Sequence, residues 1–277
     1  MTTAPAVQAP HAAPGSRGGF GHFLLSEWTK LRSVRSTMWT LLLLVVLTLG
    51  LTGLITGLTM AQWSKIDPTS RAQLIGDPVS AILGASIEFG QLTIIVLGVM
   101  SITSEYTTGA IRSSLLAVPR RMQMLAAKAL MFTMVVFVLA EVVSFVAFFL
   151  GSAIMHSHVP VSLSDSNVAR AVLGAGLYLT MLGLFSMAIG GLIRHTAGAI
   201  AGVIAFVIVL EPLSTLIPGT WGNHIHDYLP TSAGRLVYAI KPVSGQVLPA
   251  WGGFAVFGAW TAALLIAWAV TLQLRDA

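Results

Sequence analysis

Charge is what this 277-residue chain has least of. Only 9% of its residues are Asp, Glu, Lys or Arg, against about a quarter in soluble domains, so a soluble globular protein is excluded. Cysteine is absent, which removes disulfide frameworks, thiolate nucleophiles and cysteine-held metals. No lysine follows a glycine, so there is no Gly-rich loop ending in Gly-Lys-Ser/Thr to cradle nucleotide phosphates. No His-Glu-x-x-His pair marks a metalloprotease helix. His156 and His158, or His224 and His226 beside Asp227, are read as solvated side chains, and no metal is expected. Gly84-Ala85-Ser86-Ile87 lacks the second glycine of a rhomboid-type serine motif, and no histidine lies in a later span, so no catalytic residue is assigned.

What the chain has in excess is apolar sequence: 55% of its residues are hydrophobic, in blocks of about twenty, the length a helix needs to cross roughly 30 Å of hydrocarbon. The reading is an all-α, polytopic membrane protein of six spans, at about 38–60, 79–103, 128–152, 169–193, 196–217 and 250–272. Gly53-x-x-x-Gly57 and Gly198-x-x-x-Gly202 are candidate sites of close helix approach. Residues 1–19, rich in Pro, Ala and Gly, are expected to be a disordered tail. The outer stretch from Pro218 to Pro249 holds Trp221, Tyr228 and Tyr238 as candidate interface aromatics and has the prolines of a re-entrant segment.

Six spans put both termini on one side. With that side inside, the inner segments hold ten basic residues (Arg17, Lys30, Arg32, Arg35, Arg112, Arg120, Arg121, Lys128, Arg194 and Arg275) against five outside (Lys65, Arg71, Arg170, Arg235 and Lys241). That bias predicts cytoplasmic termini, and it accounts for the net charge of +5 without a nucleic-acid partner. Arg outnumbers Lys 11 to 4 alongside abundant Ala, Gly and Val, the balance of a high-GC bacterium, so the expected location is a bacterial plasma membrane.

Two polar stretches interrupt the apolar pattern on the inner side. Residues 20–37 form an interfacial amphipathic helix: Phe20, Phe23, Leu24, Trp28, Leu31 and Val34 share a face at 100° per residue, and Lys30, Arg32 and Arg35 supply the charge. Glu27 sits in the middle of that apolar face. It either snorkels or pairs with Lys30 three residues on, or it forms an ion pair with a basic residue of the next inner loop. That loop, SEYTTGAIRSSLLAVPRRMQMLAAK from Ser104 to Lys128, reads as a short helix capped by Thr103 or Ser104, with Glu105 in its first turn. Leu115, Leu116 and Val118 give it an apolar patch, Pro119 ends it, and Arg120, Arg121 and Lys128 anchor the next span.

The N-terminal SEWTKLRSVRSTMWTLL and this loop resemble the permease subunits of ABC-2-type transporters, especially actinobacterial ones. Glu27, Lys30 and Arg32 match the family's interfacial helix. Glu105, Gly109, Leu115, Pro119, Arg120 or Arg121, and Lys128 match its loop series. The resemblance implies a permease that pairs with a second copy or a different permease subunit. It implies docking on a separate ATPase subunit through Glu105, Gly109, Ile111, Arg112, Leu115, Leu116 and Pro119. ATP and magnesium would then sit on the partner, with no cofactor on this chain. It also implies export of an amphipathic drug, antibiotic, peptide or lipid.

Glu88, Gln91, Glu141 and Glu211 are polar residues inside the spans. Carboxylates there cost about 2.5–3.5 kcal/mol on insertion scales, so they are expected to face a bundle interior, a dimer interface or water, or to be protonated. The second reading is a proton-coupled secondary transporter using Glu88 and Glu141. Such transporters often carry internal repeats, and no convincing repeat is present.

Overall fold

The computed structural model describes residues 20–109, 121–241 and 247–275. Its eleven described helices begin with α1 (Phe20–Ser33), α2 (Arg35–Ala61), α3 (Pro68–Gly76), α4 (Pro78–Thr107), α5 (Arg121–Met155) and α6 (Val168–Ile193). Then come α7 (Thr196–Ala205), a π turn (Phe206–Leu210), α8 (Glu211–Ser214), α9 (Thr220–Tyr228), α10 (Pro230–Arg235) and α11 (Ala250–Arg275). Among the described residues six helical stretches have the length and composition to cross a membrane: Arg35–Ala61, Pro78–Thr107, Met122–Met155, Val168–Ile193, Thr196–Ser214 and Ala250–Leu274.

Local chemistry explains where these helices start and stop. Asp67 and Asp77 each precede a proline, and their side chains accept from the backbone N–H of Thr69 and Ser70, and of Ser80. An Asp cap with Pro at the first helical position is a strong start signal, and it makes α3 a short helix within what the sequence presents only as a polar loop. Thr107 ends α4, and Gly109 at φ +70° turns the chain into the left-handed region, a common helix stop that glycine adopts without a Cβ penalty. In the fifth span, Pro212 has no N–H and crowds the preceding turn. The helix accommodates it by widening to the π turn at Phe206–Leu210, and it ends at Ser214, three residues short of the expected Ile217.

α6 is the central helix, packed on α4, α5 and α11, while α2 lies against α4 and α5. Most of α6 is buried, and its glycines let neighbours close in. A Cβ on Gly98 of α4 would run into the Gly183 carbonyl of α6. The expected Gly53 and Gly57 pair makes no such approach: Gly57 has nothing within 4 Å and Gly53 meets only Leu150, at 3.7 Å. Gly202 likewise meets only Ile193, at 4.0 Å. Spacing alone does not locate a close approach: these glycines meet at most one side-chain tip of a neighbouring helix at ordinary van der Waals distance.

α2 instead buries a stripe of Leu44, Thr48, Thr52 and Thr56. The Thr52 and Thr56 hydroxyls donate to carbonyls four residues back, at 2.8 and 2.6 Å, which satisfies them without water. Beyond the fifth span the chain folds back: Pro230 to Gly234 in α10 are all buried, against α11 and α6. Tyr238, expected as an interface aromatic, turns inward onto Tyr178 with ring centroids 5.4 Å apart, while Trp221 and Tyr228 stay exposed.

Candidate functional site

The α1 end of the bundle holds a ring of four charges from three helices, three of them buried. Glu27 comes from α1, Glu105 from the last turn of α4, Lys128 from the second turn of α5, and Lys30 lies one turn along from Glu27. Lys128 Nζ donates to Glu27 Oε2 at 2.6 Å and to Glu105 Oε1 at 2.8 Å. Lys30 Nζ donates to Glu27 Oε1 at 2.6 Å and to Glu105 Oε1 at 3.1 Å. The side chains of Glu27 and Lys128 are 5% and 8% exposed and that of Lys30 is 41% exposed. The two readings of Glu27 are thus both realised: it pairs with Lys30, and with a lysine 101 residues away.

Glu105 differs from its expected setting. Ser104 and Glu105 do not open a separate helix, because α4 runs unbroken to Thr107. A carboxylate in a helix's last turn opposes the helix dipole, and two ammonium groups offset that here. The neighbouring Tyr106 ties the same turn elsewhere. Trp268 Nε1 of α11 donates to its hydroxyl at 3.3 Å, and the Arg194 guanidinium lies 5.0 Å from its ring centroid. Residues 105 and 106 thereby connect α4 to α1, α5, α11 and the α6–α7 turn. Trp28 and Arg32 are exposed on α1 and take no part in the ring. Ile111, Arg112, Leu115, Leu116 and Pro119 lie outside the described residues, as do the 1–19 tail and Arg120.

Burial alone would raise the Glu27 carboxyl, but Lys128 and Lys30 beside it hold it below its ordinary value. Burial would lower Lys30, and its two carboxylates hold it above its ordinary value. A depressed carboxyl contributes stability that is complete above its unfolded pKa and is lost as pH falls through the folded value. A raised lysine contributes below its unfolded pKa and loses that contribution as pH rises through the folded value. The docking of α1 is therefore expected to hold through neutral pH and to weaken below the ordinary carboxylate range. Spin labels on Ser26→Cys and Thr108→Cys, in this cysteine-free background, check it: their distance distribution should broaden near pH 3 and not between pH 6 and 8.

At the opposite end, Arg235 of α10 donates to Glu88 Oε2 at 3.1 Å, forms an ion pair with Glu88 Oε1 at 3.1 Å and lies 3.6 Å from Glu211. Gln91 Nε2 donates to Glu88 at 2.6 Å, and the Tyr178 hydroxyl donates to Gln91 at 2.8 Å. Thr231 donates to Glu211 at 2.5 Å. Three of the four intramembrane polar residues thus share one network, closed by an arginine that the sequence presents as an ordinary outer-loop charge. Arg170 holds the following backbone, donating to the carbonyls of Val237 and Ala239 at 2.8 and 2.9 Å. Glu141 stands apart. Both its oxygens are buried without a partner, against Gly176, where an added Cβ would meet its carboxyl carbon at 2.6 Å.

Among the described residues no three His, Asp or Glu side chains come together as metal ligands. His226 shares a hydrogen bond with Ser214 at 2.8 Å, His158 packs at a tilt against Trp63 with ring centroids 4.9 Å apart, and Asp227 accepts from the Val247 N–H at 2.7 Å. A family model described as ABC-2 family transporter protein matches residues 23–211, a range that includes the whole four-charge ring. No curated protein matches the chain.

Proposed function

This chain belongs to the ABC-2 family of transporter proteins and is an ABC transporter membrane subunit; from that premise we propose that it is the permease of an ATP-driven exporter. Its partner is a separate ATPase subunit that carries ATP and magnesium, and two permease subunits, identical or different, form the path for an amphipathic substrate. Both termini and the α1 end face the cytoplasm of a bacterium, as the basic residues predict. The observation that carries the reading is the four-charge ring. It makes the last turn of α4, the start of α5 and the interfacial helix one mechanical unit, directly beside the loop that the family resemblance assigns to the ATPase.

Closure of the ATPase on nucleotide moves residues 104–119. The ring transmits that movement to α1 and α5, and Tyr106 transmits it to α11 and the α6–α7 turn. Buried charge pairs suit this role because they have few alternative geometries. A proline at Ile111 or Leu115 is expected to abolish ATP-driven transport by the assembled complex in proteoliposomes while leaving membrane insertion intact; full transport in either variant overturns the docking assignment. Glu88→Gln separates the proton-coupled alternative, since ATP-driven transport survives it and proton-driven transport does not.

A further inference from the structure

Four of the five glutamates in the chain have a lysine or arginine as ion-pair partner: Glu27, Glu88, Glu105 and Glu211. Glu141 has none among the described residues, and both its oxygens are buried without a hydrogen-bond partner. Its place in the third span accounts for this. Lys128 and Met155 lie on the same helix, each about 20 Å of rise away, so both ends of α5 are out of reach. Phe137, Val138 and Val142 beside it are exposed, the apolar surface that a span turns to hydrocarbon. On the other side the carboxyl rests on bare backbone of α6, where an added Cβ on Gly176 would meet its carbon at 2.6 Å. The Gly176 carbonyl already accepts from the Thr180 hydroxyl at 2.8 Å, so the seat offers no free backbone acceptor there either.

An ionised carboxylate in this seat would have no cation and no donor. Protonation removes the charge at far smaller cost, which is how a buried acid without a partner settles. We propose that Glu141 is a proton-binding site in the middle of the third span: it is a neutral carboxylic acid at neutral pH, and it exchanges its proton only when α5 and α6 part at Gly176. In that exchange the O–H bond breaks, its electron pair stays on the carboxylate, and the proton passes to water that enters the gap. Gly176 is the positioning residue, because only the lack of a side chain leaves room for the carboxyl. Glu88 differs in kind. Arg235 and the Gln91 amide support its charge, so the two carboxylates that the sequence places together in one proton-coupled reading do not share a protonation state. The site belongs to this chain alone, and its test needs no ATPase.

The test is infrared spectroscopy of the purified full chain in lipid nanodiscs. The parent spectrum minus that of Glu141→Gln at neutral pH should show the carbonyl stretch of one neutral carboxylic acid, with no loss of carboxylate bands. Glu88→Gln, the control, should remove carboxylate bands alone. On transfer to heavy water the acid band shifts as O–H becomes O–D, at the rate at which the seat opens. That shift should be slow in the parent and about tenfold faster in Gly176→Ala, the scale of one overpacked methyl group. Glutamine has the shape of the neutral acid, so the difference spectrum stands even if Gly176→Ala fails to fold. Carboxylate bands lost in Glu141→Gln, a parent acid band that shifts within the mixing time, or equal rates in the parent and a folded Gly176→Ala overturns the proposal.

Discussion

Lys128→Met is expected to release α1 from the bundle and to uncouple the ring from the spans. Lys128 is the one deeply buried cation of the ring, and its two bonds, at 2.6 and 2.8 Å, join carboxylates from different helices. Removing one partner of a buried pair leaves an uncompensated charge and costs about 3–5 kcal/mol. Lys30→Met removes the other cation, but Lys30 is 41% exposed and water can replace much of what it gives, so its loss should cost about 1 kcal/mol or less. The ratio between the two is the diagnostic. A ring of independent surface pairs would make them equal. Neutralising all three buried charges together, as Lys128→Met with Glu27→Gln and Glu105→Gln, should recover most of the stability, because the penalty comes from the stranded carboxylates. The Ser26→Cys and Thr108→Cys spin-label distance reads each case directly.

Arg235→Met is expected to open the far end of the bundle. Glu88 and Glu211 are drawn together by this one guanidinium, and without it two carboxylates face each other inside the span. Glu88 is 44% exposed and water can take over much of its charge, but Glu211 is 5% exposed, and stranding that one carboxylate, at about 3 kcal/mol, should raise the open population of α10 by about a hundredfold. Ser232→Cys, 7% exposed in the closed form, reports this through its reaction rate with a membrane-impermeant maleimide. Slow labelling in the parent and fast labelling with Arg235→Met is the predicted pair. Adding Glu88→Gln and Glu211→Gln should slow it again. Equal rates throughout would mean that α10 is held by packing on α11 and α6 alone.

The residues that the sequence revealed best are those whose signals are local. Six apolar blocks stand out because hydrocarbon sets their length, and Glu27 stands out because a carboxylate on an apolar helix face needs a cation. The identity of that cation was legible only in part. Lys30 follows from a spacing of three, whereas Lys128 follows from the way α1 crosses the start of α5, which no local pattern encodes. Arg235 was hidden for the same reason: α10 is six residues long, and only the return of the chain into the bundle brings its arginine to Glu88. Glu105 sits in a helix's last turn and not in its first: Thr103 and Ser104 look like caps, while the continuous apolar burial of α4 carries the helix through them to Thr107. The glycines misled in the opposite sense. Gly53 and Gly57 have the familiar spacing and touch little, whereas Gly98 and Gly183, which carry no motif, bring two helices into backbone contact.

The most direct test of the central claim is to purify the chain from its native host in mild detergent and ask what accompanies it. A soluble subunit in stoichiometric amount, carrying a P-loop and hydrolysing ATP, is the predicted result, and that subunit should be lost or uncoupled when Leu115 is replaced by proline. A homogeneous preparation of this chain alone, still able to move substrate in proteoliposomes under a proton gradient and dependent on Glu88, would contradict it.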